Sequence, residues 1–311
     1  MAHSYLEYAR LKAIITALRF FDGEKPATPS PDDSFKYVSR DSKRELKVNV
    51  YRSKIASNPT PVLVNWNGGA FVFDGHGSDE PFCRHIADKT AYAVLDASYA
   101  LAPEYPFPSA LEDVEDLVLK VFEQPAEYDV RNVVLSGFSS GGNLALAAAA
   151  NLKKEAKLGI NSVRGVSVFY PPTNMAIPPA EKRHLDGSLP DIPALLGVLM
   201  NTFRSAYLPP GVDPVDPRIS VLEADPVAFP ENILIIAAEK DRLAPEAREL
   251  AGKLEHAGKN VLFKIFDGVR HGWDKTKDEA SNEARVRDEA YSLVVNFLSS
   301  MVGVEDPDKR T

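Results

Sequence analysis

Eight short runs rich in β-branched and aromatic residues, alternating with helical patterns along most of the chain, predict an α/β fold: a mostly parallel eight-stranded sheet flanked by helices, with a small helical cap. Two local features support that class. The first two runs lie too close together for a crossover helix, so they should pair antiparallel. The apolar run Val133, Val134, Leu135 leads through a glycine-rich turn into residues 143–150, a small-residue helix former suited to close packing on a sheet. At 311 residues the chain is about twice the ~150 usual for one domain, which calls for a second domain or an insertion in a large one.

In chain order, Tyr8, Leu11, Ile14, Ile15, Leu18 and Phe21 recur at helical spacing, interrupted by Glu7, Arg10, Lys12 and Arg19. This is the pattern of an amphipathic helix docked on the body, not of a signal peptide's apolar region. The strands are expected at 35–39, 46–51, 62–66, 92–98, 132–136, 163–170, 233–238 and 262–267. Among the helices, Ser78 or Asp79 can cap one that has Pro81 in its first turn, and 109–122 is amphipathic. A further helix over 245–256 ends at Gly258, and the last, over 278–301, turns Tyr291, Val294, Val295 and Leu298 inward.

Residues 171–217 break the alternation, because ten of the 24 prolines fall there, although 195–207 keeps a helical pattern of its own. A long irregular connection inside a compact domain is more often a lid or binding element than filler. The organisation expected is an N-terminal cap helix region at 1–30, a main domain at 31–170 and 218–304, and a cap insertion at 171–217. Residues 305–311 carry no apolar side chain and should fray.

Composition narrows the class of function. With 44% hydrophobic and 26% charged residues the chain is close to the globular averages of roughly 45–50% and 25%, so whole-chain disorder is excluded. Its 36 Lys and Arg against 44 Asp and Glu leave a net charge of −8, which disfavours nucleic acid as a partner. No window approaches the ~18 consecutive apolar residues of a spanning helix, so no membrane association is expected. The single cysteine, Cys83, allows no intrachain disulfide and fits a reducing, cytoplasmic setting.

The strongest chemical signal is Gly137-Phe138-Ser139-Ser140-Gly141, a G-x-S-x-G pattern directly after an apolar run. A serine projecting from a tight strand-to-helix turn needs glycines beside it so that backbone can approach, and the following helix N-terminus aims its free amides at the site. An exposed serine is a weak nucleophile and needs a base, itself oriented by an acid. Of six histidines, His271 is the best placed, in a loop beyond the carboxyl end of the last strand, where active sites of open α/β sheets lie. His76 and His85, after the third strand, remain competitors; His3, His184 and His256 fall in the N-terminal segment, the insertion and a helix end. Asp241, just past strand 233–238, is the candidate acid, with Glu239, Asp267 and Asp274 as rivals that read as loop charges. Asn67-Gly68-Gly69-Ala70-Phe71, after the third strand, can expose backbone amides to an oxyanion, and the Ser140 amide can add another. The order Ser139, Asp241, His271 is that of α/β-hydrolases, not that of the chymotrypsin or subtilisin types.

Asn67-Gly68-Gly69-Ala70-Phe71 resembles the HGGG oxyanion motif, and residues 99–113, YALAPEYPFPSALED, resemble the YRLAPEHPFPAALED stretch of the hormone-sensitive-lipase-like esterases. With the serine turn, Asp241 and His271-Gly272, the resemblance spans roughly 60–298. It implies an α/β-hydrolase fold whose cap is built from the N-terminal helices and an insertion after the sixth strand. It also implies carboxylester hydrolysis without metal or organic cofactor: Ser139 attacks, His271 relays the proton, Asp241 orients it, and amides among Gly68, Gly69, Ala70 and Ser140 hold the oxyanion. Phe71 and Phe138 are expected to contact substrate. The function expected is a serine carboxylesterase acting on short- to medium-chain acyl esters of small molecules, and a homodimer is compatible with the sequence. An amidase or deacetylase on a specific metabolite, and a non-catalytic receptor-like binding protein, are the alternatives. Two departures bear on the latter: Asn67 stands where the family has histidine and Ala70 where it has the third glycine. Neither removes a backbone donor.

Overall fold

The structure is a computed structural model that describes residues 3–21, 29–56, 58–154, 163–189 and 193–302. The described residues form one eight-stranded sheet: β1 Asp33–Val38, β2 Glu45–Tyr51, β3 Thr60–Trp66, β4 Ala93–Ala97, β5 Tyr128–Phe138, β6 Gly165–Phe169, β7 Asn232–Ala238 and β8 Asn260–Phe266, in the order β1-β2-β4-β3-β5-β6-β7-β8. β1 pairs antiparallel with β2 and β2 antiparallel with β4; from β4 to β8 every pairing is parallel. All eight expected strands are present. β5 is longer than expected because its start is recruited by Thr60 opposite Tyr128, with a register shift before Val62. β6 is shorter because Tyr170 leaves the strand with φ of 39°.

The central strands are mostly apolar, interrupted by the buried Asn65, Asp96, Ser136 and Ser167, because helices cover both faces. Val62, Val64, Trp66, Val133, Leu135, Val166 and Val168 face a core closed by α3 Ser109–Phe122, α4 Ser140–Lys154 and α6 Ala244–His256. Leu63, Val94, Val134, Leu234 and Ile236 face the opposite core, closed by α2 Glu80–Lys89 and α7 Asn282–Met301. α7 begins later than 278 because the Ser281 hydroxyl accepts from the Ala284 amide and caps it there. Asp79 does occupy the position before α2 but makes no capping bond, since its carboxylate is engaged elsewhere. No described helix is long and apolar enough to cross a membrane.

α1 Tyr5–Phe21 buries Leu11 and Ile15 and packs on α5 Ala194–Tyr207, the helix of the proline-rich insertion. Its Arg19 reaches into the body, donating to the carbonyls of Val72 at 2.7 Å and Ala102 at 2.8 Å and to Glu104 at 2.9 Å. The insertion is tied down at both ends by one side chain: Asn143, fully buried in α4, donates from Nδ2 to Pro172 O and Ile219 O, each at 2.8 Å. A buried ion pair, Lys182 with Glu246 on α6, fixes its middle. The expected fraying at 305–311 lies outside the described residues, as do parts of the 1–30 region.

Candidate active site

All six strands from β3 to β8 point the same way, so the loops after β3, β5, β7 and β8 emerge at one edge of the sheet. Register brings them together: Trp66 lies opposite Gly137, and Ala238 opposite Phe266. The next residues of each loop carry the polar groups.

Ser139 sits between β5 and α4 with φ of 50°, a left-handed conformation that points its side chain away from the sheet. The turn holds because its amide donates to Phe169 O at 2.9 Å and its carbonyl accepts from Asn143 N at 3.0 Å. Two glycines are sterically required. A Cβ at Gly141 would collide with the Trp66 carbonyl, and one at Gly137 with the Gly141 backbone.

The Ser139 Oγ lies 3.0 Å from His271 Nε2, and His271 Nδ1 lies 2.6 Å from Asp241 Oδ2. The other Asp241 oxygen accepts from Leu243 N at 3.0 Å, so the carboxylate, 4% exposed, is held from both sides. The imidazole remains open to the cavity, its side chain 41% exposed. Partial burial alone would lower its pKa, but the charge and hydrogen bond of Asp241 outweigh that and raise it above 6.5. Glu239 instead accepts from Gly268 N, and Asp274 from Tyr170 OH and Lys275. His76 points to Asp96 O and His256 to Gly252 O, and none of the other five histidines reaches Ser139 among the described contacts.

The loop after β3 approaches the serine closely enough that a Cβ at Gly68 would lie 3.3 Å from Ser139 Cβ. Gly69, Ala70 and Phe71 all have positive φ, and the amides of Val72 and Phe73 turn back onto Gly69 O. Among the described residues nothing accepts from the amides of Gly69, Ala70 or Ser140, which leaves them free to bind an anion. Asn67 is 2% exposed, and its side-chain amide donates to Gly68 O. Tyr99 OH joins the two loops, donating to Asn67 O at 3.0 Å beside Ser140 Oγ at 3.2 Å. The asparagine therefore shapes the loop by hydrogen bonding within it.

Of the two expected substrate contacts, Phe71 borders the cavity, its ring stacked 3.8 Å from Tyr207 of α5. Phe138 also borders the cavity, but not through an exposed side chain. Its ring is completely buried, between Phe82 and Phe169 with the Lys275 ammonium 3.9 Å above its centroid, because the x position of the turn faces the core.

Behind His271 stands a wall that the sequence did not announce. The Tyr170 ring lies 4.5 Å from the imidazole and its hydroxyl donates to Asp274; Lys275 bridges Asp274 and Asp79; Asn65 bridges Asp79 and Asp96. Burial, then repulsion from Asp79, pushes the Asp96 carboxyl up to about 7. Only a left-handed φ at residue 170 could have betrayed this arrangement, and tyrosine gives no sequence signal for it.

Residues 63–275 match the model of an α/β-hydrolase fold family, and the chain belongs to it, with the motifs of the hormone-sensitive-lipase-like branch. An esterase of Acinetobacter venetianus is 26% identical over 218 residues, covering 70% of this chain and 68% of that one. An ethyl acetate hydrolase of Pseudomonas putida is 28% identical over 212 residues, 67% of this chain, and the match spans 64% of its length. Brefeldin A esterase, a bacterial homologue of human hormone-sensitive lipase, superposes with a TM-score of 0.74 at 21% identity, over 97% of this chain and 88% of that one.

Proposed function

We propose that this chain is a serine carboxylesterase acting on short- to medium-chain acyl esters through an acyl-enzyme. The observation that carries the reading is the unbroken chain of contacts from Ser139 Oγ through His271 to Asp241, opposite three unengaged amides. Ser139 Oγ adds to the ester carbonyl while His271 Nε2 takes its proton. The oxyanion is held by amides of Gly69, Ala70 and Ser140, and Asp241 stabilises the imidazolium. His271 then gives the proton to the departing alcohol, and deprotonates the water that releases the acid. The similar proteins that are named esterases support this, and the hydrogen-bonded Asn67 loop favours it over a receptor-like protein. Cysteine usage, one buried unpaired thiol, supports a cytoplasmic setting.

We take α1 and the insertion as a cap over the cavity, since α5 sets Tyr207 on Phe71 and Phe203 edge-on to Phe73. Under that cap, 4-nitrophenyl acetate and butyrate are turned over better than the laurate ester, and triolein is the poorest substrate. Triolein turnover above that of a butyrate ester under matched conditions overturns the acyl-length reading; inertness towards the whole ester panel overturns the esterase reading itself.

The raised His271 pKa sets the pH dependence. The base works only when neutral, so activity is present above the imidazole pKa and lost as pH falls through it. The acid limb of kcat/KM should therefore have its midpoint above the ordinary 6.5 of histidine, and a midpoint below that value contradicts the geometry.

A further inference from the structure

The cavity in front of Ser139, about 1690 Å³, runs beneath α5, where two of its bordering residues are arginines without a carboxylate partner among the described contacts. Arg204, on α5, donates from Nε to Met175 O at 2.9 Å and has no described ion pair. Burial is the one influence on its pKa and lowers it, with no neighbouring charge to offset the loss of water. Arg242, next to Asp241, brings Nη2 onto Met200 Sδ, and its Nη1 is buried with no hydrogen-bond partner. Met200 and Arg204 are four residues apart on α5 and share one helix face, so the two guanidinium groups flank one stretch of wall. The carboxylates that act on Arg242 are Asp241 and Glu246; Glu246 is paired with Lys182, whereas Asp241 is hydrogen-bonded to an imidazole that is neutral in the working enzyme and offsets part of the Arg242 charge.

A partly buried guanidinium that lacks an anion is costly, and a bidentate fork of donors fits a carboxylate better than any neutral group. We infer that the site takes esters bearing a second acidic group, an ionised carboxylate at the far end of the molecule, which docks on Arg204 and Arg242. The inference rests on the ester-hydrolase reading for the reacting end and on the arginines alone for the other. In the reaction Ser139 Oγ bonds to the ester carbonyl carbon, the alcohol leaves with the proton carried by His271, and water releases the dicarboxylate. The protein's net charge of −8 would repel such a substrate at long range, so the local attraction has to come from Arg204, which has no neighbouring charge, with Arg242 beside it.

The test compares monoethyl adipate with ethyl hexanoate, which has the same chain length and no second carboxylate, at pH 7.5. The wild type should prefer the anionic ester by about tenfold or more in kcat/KM, the value of one hydrogen-bonded charge. Arg204→Met and Arg242→Met should each cut that ratio by about tenfold, chiefly through KM, while Arg204→Lys restores part of it. A wild-type ratio near one, or a ratio the methionine variants leave unmoved, overturns the inference. Should neither ester be hydrolysed, the esterase reading fails separately, and adipate binding decides this one. Thermal stabilisation by adipate over neutral adipamide, lost in Arg204→Met, upholds it; equal stabilisation, or none, overturns it.

Discussion

Replacing Ser139 with alanine should abolish ester hydrolysis, with a loss of about 10⁶ in kcat by comparison with another serine hydrolase, and leave the fold intact. The argument is geometric. The Ser139 side chain makes one described hydrogen bond, to His271 Nε2, whereas the turn is held by its backbone through Phe169 O and Asn143 N. Alanine keeps both backbone bonds and removes the one atom that can bond covalently to an acyl carbon. Helical content and melting temperature should therefore stay close to wild type. A fluorophosphonate probe should label the wild type at Ser139, located by mass spectrometry, and leave the variant unlabelled. Residual turnover within tenfold of wild type would place the nucleophile on another residue.

How much of this was legible in the sequence depends on whether the signal is local. Ser139, the Asn67–Phe71 loop and His271 lie on turns whose glycines and flanking strands announce them within ten residues. The strand pattern was clear for the same reason: a strand buried on both faces is mostly apolar, as β7 is after Asn232 and as β3 and β4 are apart from the buried Asn65 and Asp96. The Ser, Asp, His order then limited which partners could be shared. The resemblance carried over by residues 99–113 also has a physical content, because Tyr99 bonds the Asn67–Phe71 loop and Asp113 pairs with Arg44 while accepting from Ala100 N.

What was hidden depends on long-range meetings. Asp79 reads as a helix cap from its neighbours, yet Lys275, 196 residues away, claims its carboxylate. Phe138 sits beside Ser139 and borders the cavity, but alternation along β5 sends its ring into the core. Arg204 and Arg242 belong to an irregular insertion and a loop, and only folding sets them against the same wall. Charge type alone would have assigned both to solvent.

Asp241→Asn is expected to lower kcat by about 10⁴, as the equivalent change does in another serine hydrolase, with little change in fold. The reason lies in how the side chain is held. Asp241 Oδ1 accepts from Leu243 N at 3.0 Å, so an asparagine would keep its carbonyl there and turn its NH₂ towards His271 Nδ1. That nitrogen would then have to accept a bond, and the imidazole proton would move to Nε2, facing Ser139. In that tautomer Nε2 has no lone pair with which to take the serine proton. The same substitution removes the two largest influences that raise the imidazole pKa, the charge and the hydrogen bond of Asp241, and leaves the desolvation that lowers it, with Asp274 and Arg242 acting in opposite directions. The acid limb of the residual activity should therefore move to lower pH. A variant within tenfold of wild type, or one whose acid limb stays in place, would show that another carboxylate orients His271, and Asp274, behind Tyr170, would be the next to replace.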